Sequence, residues 1–348
     1  MIGFALEGGG AKGAYQAGAY IALRKRHIKP AIIAGTSIGS LNAALMVQGD
    51  IKKLVSLWLN TTTDIFGISG SLAEKIKSKK LTIKDLGTGI NDLKKILKNK
   101  GIDTTKFLNI IKKSVNEDKI RKSKVKLGLI TVKVDGMKPL ELTIDDIPYG
   151  KLPEYILASC YLPLFNYKPI IDNNYYIDGG FYNNVPLSLV QNYGCDTIYS
   201  IRIKGIGVSH NKLKKETKVI EIKPKENLGS IIIFDKESNT RNLKLGYYDT
   251  LKVLDNLDGN KYYFKNIKEE ACDKILQNIN FETLTKLKIK YRTLTNKELL
   301  IKVVEKLMQT YNYEKFKIYH LKLVILKLKR KDLKDKQLKQ FIKDCKII

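Results

Sequence analysis

Gly35-Thr36-Ser37-Ile38-Gly39 follows directly on an apolar run, Ala31-Ile32-Ile33-Ala34. A serine with glycine at both second neighbours, placed where a strand gives way to a helix, has the form of a nucleophile elbow. The tight turn exposes the hydroxyl, and the missing side chains let backbone and substrate come close. Ordinary turns produce the same pentapeptide, so its weight depends on two further glycine clusters. Gly8-Gly9-Gly10-Ala11-Lys12-Gly13 lies upstream and Asp178-Gly179-Gly180 far downstream.

Working outward, Ile2 to Leu6 is a short apolar run that predicts a buried strand. Small and apolar residues from Ala11 to about Arg26 predict a helix whose basic end, Arg24-Lys25-Arg26, suits the C-terminal dipole. The run into Ser37 predicts a second strand, and Ile38 to Val47 a second helix. Strand, glycine loop, helix, strand, elbow, helix opens an α/β fold with a parallel sheet. Residues 55–120 read as a helical insertion able to cover a site, with segments at Leu72–Lys77 and Asn91–Lys98. Strands are predicted over Val125–Val134, Leu140–Thr143, Tyr175–Ile177 and Thr197–Ile203, and helices over Leu152–Cys160 and from Pro186 to Gln191. The chain divides into residues 1–258, carrying all three glycine clusters, and a lysine-rich helical region, 259–348. In the latter, Leu321, Val324, Ile325 and Leu328 share one helical face, read either as a packed terminal helix or as a basic interfacial one.

The upstream cluster has the Gly-x-Gly-x-x-Gly form of a dinucleotide site, but the second strand runs into Gly35-Thr36-Ser37 without the ribose-binding carboxylate. Ala14-Tyr15 follows Gly13 where a phosphate loop needs Lys-Ser or Lys-Thr. An oxyanion hole fits better, since consecutive glycines offer unobstructed N–H donors; Gly9 and Gly10 are the first candidates, with Ile38 as a third. Ser37 needs a base. Ser37, Asp178 and His210 stand in the order of an α/β-hydrolase triad, yet Gly205 to Lys212 reads as a polar loop, and His27 and His320 lie elsewhere. Asp178 leaves a strand into two glycines, a geometry that presents a carboxylate to a crevice.

Among 348 residues, 63 Lys and Arg stand against 35 Asp and Glu, a net charge of +28. The excess is almost all lysine, alongside abundant Ile, Asn and Tyr, so composition explains it better than nucleic-acid binding; an anionic lipid surface is the second reading. Four scattered cysteines and three dispersed histidines predict reduced thiols and no metal site. The apolar runs are too short for a spanning helix, and Glu7 interrupts the first one, against a signal peptide. The expected location is therefore cytoplasmic, with contact at a membrane periphery.

Taken together, Glu7 to Tyr15, Gly35 to Gly39 with Leu41-Asn42-Ala43, Ala158-Ser159-Cys160 running to Pro163 and Phe165, and Asp178-Gly179-Gly180 with Asn184-Val185-Pro186 resemble the blocks of bacterial patatin-like phospholipases. The resemblance spans about residues 1–200. It implies a three-layer α/β/α sandwich with a mostly parallel sheet and a cofactor-free lipid acyl hydrolase acting on phospholipid or other acyl esters. It further implies Ser37 as nucleophile, Asp178 as its base, and the first glycine cluster as oxyanion donors, with Lys12 bracing that loop or meeting a phosphate. A neutral-ester lipase or thioesterase with the same dyad, and a noncatalytic membrane-surface adaptor, are the alternatives; protein partners are not legible.

Overall fold

The computed structural model describes residues 1–63 and 101–347. The segments expected at Leu72–Lys77 and Asn91–Lys98 lie outside these residues. Two compact units are present, Met1–Asp249 and Thr250–Ile348.

The first unit is built on a seven-stranded sheet. β1 (Ile2–Leu6), β2 (Ile32–Thr36), β3 (Lys126–Lys133), β6 (Thr197–Ile201) and β7 (Lys218–Ile222) run parallel in the order β3-β2-β1-β6-β7. β4 (Lys138–Thr143) closes one edge, antiparallel to β3. β1, β2 and the middle of β3 are continuously buried because helices cover both faces, which is why they read as unbroken apolar runs. On one face Ala5, Ile32, Ala34, Ile130 and Ile198 pack with Leu189 and Val190 of the helix Leu187–Asn192. On the other lies α2 (Ile38–Val47), buried throughout and set against β2 and β3. The first helix, α1 (Ala14–Lys25), starts three residues later than expected, because Gly10–Gly13 form a 3-10 turn.

β5 (Tyr176–Asp178) decides where the site lies. β4 occupies one side of β3 from Gly128 to Lys133. On the other side β2 pairs through Thr36 opposite Ile130, and β5 takes over antiparallel, with Asp178 opposite Thr131. β2 and β5 therefore meet end to end on one edge of β3. Their last residues, Thr36 and Asp178, face consecutive residues of the same strand.

The helix Lys236–Leu254 crosses α1 at very short range within this unit. A Cβ on Gly18 would stand 1.9 Å from the Leu243 carbonyl oxygen, and one on Gly246 1.9 Å from that of Tyr15.

In the second unit Phe264, Leu287, Leu299, Val304, Ile325 and Phe341 belong to one apolar core. A short parallel pair, Tyr263–Phe264 with Ile318–Tyr319, was not legible in the sequence. The helix Asn296–Thr310 opens with a capping box between Thr295 and Glu298, and buried Glu305 accepts the N–H groups of Asn260, Lys261 and Tyr262. Leu321, Val324, Ile325 and Leu328 all point into this core. Of the two readings of that helix the packed one holds, and its apolar face is not available to a membrane. Among the described residues no helix is long and apolar enough to cross a bilayer.

The close helix crossing generates a test. Gly18→Ala and Gly246→Ala are each expected to lower the unfolding free energy by about 1–3 kcal/mol, as overpacking does. An unchanged denaturation midpoint in both would mean that the helices do not approach this closely.

Candidate functional site

Ser37 stands at the junction of β2 and α2 with φ 55° and ψ −132°, a conformation that is strained for a residue with a side chain. The surroundings hold it there. Its N–H donates to Ser159 Oγ at 3.0 Å, and that hydroxyl donates to the Ile130 carbonyl at 2.6 Å, tying the turn back to β3. Its carbonyl accepts from both the N–H and the hydroxyl of Ser40, at 2.8 and 2.6 Å. The flanking glycines are required by contact. A Cβ on Gly35 would fall 2.0 Å from the Gly39 carbonyl oxygen, and one on Gly39 2.6 Å from that of Leu6. Thr36 is buried, and its hydroxyl donates to the Asn183 carbonyl at 2.8 Å.

Asp178 is 3% exposed. Its N–H donates to the Tyr161 carbonyl, fixing the end of β5, and its Oδ1 accepts the Gly180 N–H at 2.7 Å. The second oxygen, Oδ2, is buried without a hydrogen-bond partner among the described residues. Burial raises the carboxyl pKa to about 6; the neighbouring Ser37 hydroxyl and the Gly180 N–H act in the opposite direction and offset only part of the rise. Gly179 lies so close to β3 that a Cβ there would be 2.2 Å from the Ile130 carbonyl oxygen.

The first glycine cluster lies against the same turn, since a Cβ on Gly8 would stand 2.9 Å from Ser37 Cβ. Several of its amides are already engaged. Gly8 N–H donates to the Asn184 carbonyl, Ala11 N–H to the Ile231 carbonyl at 2.8 Å, and Lys12 N–H to the Gly9 carbonyl. The N–H groups of Gly9, Gly10 and Ile38 make no hydrogen bond among the described residues. Gly10 has φ +56°, and a Cβ there would stand 2.0 Å from the Ile231 carbonyl oxygen, so a side chain meets both torsional strain and a clash. Gly13 closes the cluster with its carbonyl accepting from Asn42 Nδ2 at 3.0 Å. Lys12 Nζ donates to the Lys204 carbonyl at 2.8 Å, which braces the loop; burial lowers its pKa, against the pull of the Glu7 carboxylate.

Several residues that support the site had no assigned part in the sequence reading. Asn184 joins two clusters, giving its amide hydrogen to the Gly8 carbonyl while accepting the Gly8 N–H on its own carbonyl. Gln16, Asn42 and Trp58 form a buried chain: Trp58 Nε1 donates to Asn42 Oδ1 at 2.9 Å, Asn42 Nδ2 to Gln16 Oε1 at 2.8 Å, and Gln16 Nε2 to the Glu7 carbonyl at 2.7 Å. The available signal was polar residues at otherwise apolar helix positions, which when buried need partners. The stretch read as a loose polar loop is pinned. Val208 exchanges hydrogen bonds with Gly180 and Asn184, and Asn211 bonds the Asn183 side chain in both directions. His210 stacks on Tyr182, with Nδ1 2.6 Å from the Tyr182 carbonyl, so this nitrogen is occupied away from Asp178.

Beside Ser37 opens an apolar cleft lined by Gly10, Cys160, Phe165, Ile231 and Phe234 among others. Phe107, Ile38 and Phe234 also wall a smaller apolar recess with Leu41, Trp58 and Ile110. Burial, and then the Asp178 charge, push the Cys160 thiol well above its ordinary pKa, so it stays neutral and is no rival nucleophile. A hydroxyl, a buried carboxylate, three N–H groups without a bond among the described residues and an apolar cleft are a set whose chemistry suits acyl transfer to a serine. Among the described residues no cluster of side chains could hold a metal ion.

A family model described as patatin-like phospholipase matches residues 4–190. No curated protein matches the chain. Among solved structures the chain is similar to VipD from Legionella pneumophila, with 14% identity, TM-score 0.40, and coverage of 99% of this chain and 83% of that one. It is also similar to the type III effector protein ExoU, with 13% identity, TM-score 0.36, and coverage of 99% and 73%. A structure of full-length SpcU in complex with full-length ExoU from Pseudomonas aeruginosa gives 16% identity, TM-score 0.30, and coverage of 98% and 70%.

The burial of Asp178 has a pH signature. A carboxyl raised from 3.8 to about 6 destabilises the fold once ionised. Asp178→Asn is therefore expected to leave stability unchanged below about pH 4, and to become stabilising between about pH 4 and 6. The gain should level off at about 3 kcal/mol above that range. Urea unfolding of both proteins across this range checks it; a constant difference would contradict a raised carboxyl.

Proposed function

This chain belongs to the patatin-like phospholipase family, and we propose that it cleaves acyl esters of glycerophospholipids through a Ser37–Asp178 dyad and an acyl-enzyme on Ser37. The observation that carries the reading is the end-to-end meeting of β2 and β5, with Thr36 and Asp178 opposite consecutive residues of β3. The Ser37 hydroxyl gives its proton to Asp178 Oδ2, the oxygen without another partner among the described residues, and attacks the ester carbonyl carbon. The oxyanion receives the N–H groups of Gly9, Gly10 and Ile38, which need not break existing bonds to serve it. Collapse of the tetrahedral intermediate breaks the ester bond, and Asp178 returns the proton to the departing lysolipid oxygen. A water molecule then gives a proton to Asp178 and attacks the acyl-enzyme; a second collapse frees the fatty acid and restores the Ser37 hydroxyl. The apolar cleft beside Ser37 is suited to the acyl chain.

Ser37→Ala and Asp178→Asn are each expected to lower hydrolysis of a p-nitrophenyl acyl ester by about 1,000-fold or more, and His210→Ala to leave it within about two-fold. A folded but inactive His210 variant would replace the dyad with a triad. Mass spectrometry of phospholipid vesicles treated with the protein should find free fatty acid and lysophospholipid, and neither with Ser37→Ala; release from neutral esters or thioesters alone would redirect the substrate assignment.

The base must be ionised to accept a proton. With Asp178 raised to about 6, kcat/KM is expected to climb about ten-fold per pH unit below that value and to flatten above it. A flat profile from pH 5 to 8 would remove Asp178 from the role of base.

A further inference from the structure

The helix Phe281–Tyr291 in the second unit turns its apolar residues in two directions. Leu287 is fully buried and Leu284 packs against the unit's core. Phe281, Thr285 and Ile289, four residues apart, share the outward side. Phe281 is 84% exposed, Ile289 74%, and Leu294, in the turn after the helix, 88%. Single exposed apolar residues are ordinary. Three at this level within fourteen residues are not, because each keeps a large apolar side chain in water without packing against its own unit.

The surroundings of these side chains identify what they meet. Lys286 and Lys290 lie on one flank of the stripe, Lys288 on the other, and exposed Arg292 ends the helix in a left-handed conformation. Glu282 on the same helix is paired with Lys286. The whole unit carries 24 Lys and Arg against 12 Asp and Glu. A second copy docking through the same face would bring these cations against each other. An anionic bilayer would instead neutralise them while accepting the three apolar side chains among its acyl chains.

We infer that Phe281, Ile289 and Leu294, rimmed by Lys286, Lys288, Lys290 and Arg292, form a docking surface for anionic phospholipid bilayers. The interfacial reading that the sequence left open for the Leu321–Leu328 face does not apply, because the core of the unit occupies that face. The contact is peripheral, made by three side chains at one helix and its following turn. It does not depend on the chemistry assigned to Ser37.

The test uses the full chain carrying Ser37→Ala, so that lipids survive, with vesicles of phosphatidylcholine alone or mixed with phosphatidylserine. Sedimentation is expected to show binding that prefers the mixed vesicles. The triple variant Phe281→Ser, Ile289→Ser, Leu294→Ser should bind them about ten-fold more weakly or worse. Lys286→Gln, Lys288→Gln and Lys290→Gln together should remove the preference for anionic lipid. In the Ser37 form neither set should change hydrolysis of a soluble p-nitrophenyl ester or the melting temperature, as expected of exposed side chains. Trp58 is the sole tryptophan and is buried, so Ile289→Trp offers a local probe whose emission should be quenched by brominated lipid. Undiminished binding by the triple variant, or an unquenched probe on bound protein, would overturn the assignment. So would a dimer in sedimentation velocity that the triple variant abolishes, since the stripe would then belong to a second copy.

Discussion

One side of β3 is shared by two strands running toward each other, and the arrangement of the site follows from where they meet. Backbone pairing fixes this register to within a residue, because a slip of one position would turn every side chain of β5 to the opposite face. Thr36 and Asp178 are thus brought together by ladder hydrogen bonds, before any interaction between side chains. The remaining contacts refine that placement. Ser159 ties the backbone of Ser37 to β3, and Asn184 ties Gly8 to the segment after Asp178.

Two kinds of group carry the local stress. Ser37 sits at positive φ, and Asp178 keeps a carboxylate oxygen buried without a hydrogen-bond partner among the described residues. Neither would persist in isolation. Both are held by a rigid surround: helix α2 buried along its whole length, and the Gln16–Asn42–Trp58 chain of hydrogen-bonded polar side chains behind the glycine loop. The same surround leaves the N–H groups of Gly9, Gly10 and Ile38 without a hydrogen bond among the described residues, while neighbouring amides are occupied. Donors that are fixed and unoccupied need little reorganisation when negative charge develops before them.

Much of this was legible before the fold was known, because elements whose pattern is set locally announce themselves. Apolar runs ending in glycine gave β1 and β2, and the extent of α2 from Ile38 to Val47 was read as it stands. What escaped depends on distant partners. β7 is an edge strand whose Lys218, Val219, Ile220, Glu221 and Ile222 carry no strong apolar signal, and the Tyr263–Phe264 pairing needs residues more than fifty positions away. The polar loop around His210 looked loose because its restraints come from Gly180, Tyr182, Asn183 and Asn184, which no local pattern connects to it. The Leu321–Leu328 stripe showed that an apolar helix face existed but not what it faced.

β5 contributes only three residues to the sheet. The five parallel strands would keep their pairing if it came away, and so would the elbow at Ser37. Short segments with few ladder bonds open at lower free energy than the elements they join. On heating, the distance between hydroxyl and carboxylate is therefore governed by a local event, separate from the melting of the sheet. The seating of Asp178 and the folding of the sheet become two thermal properties of this protein.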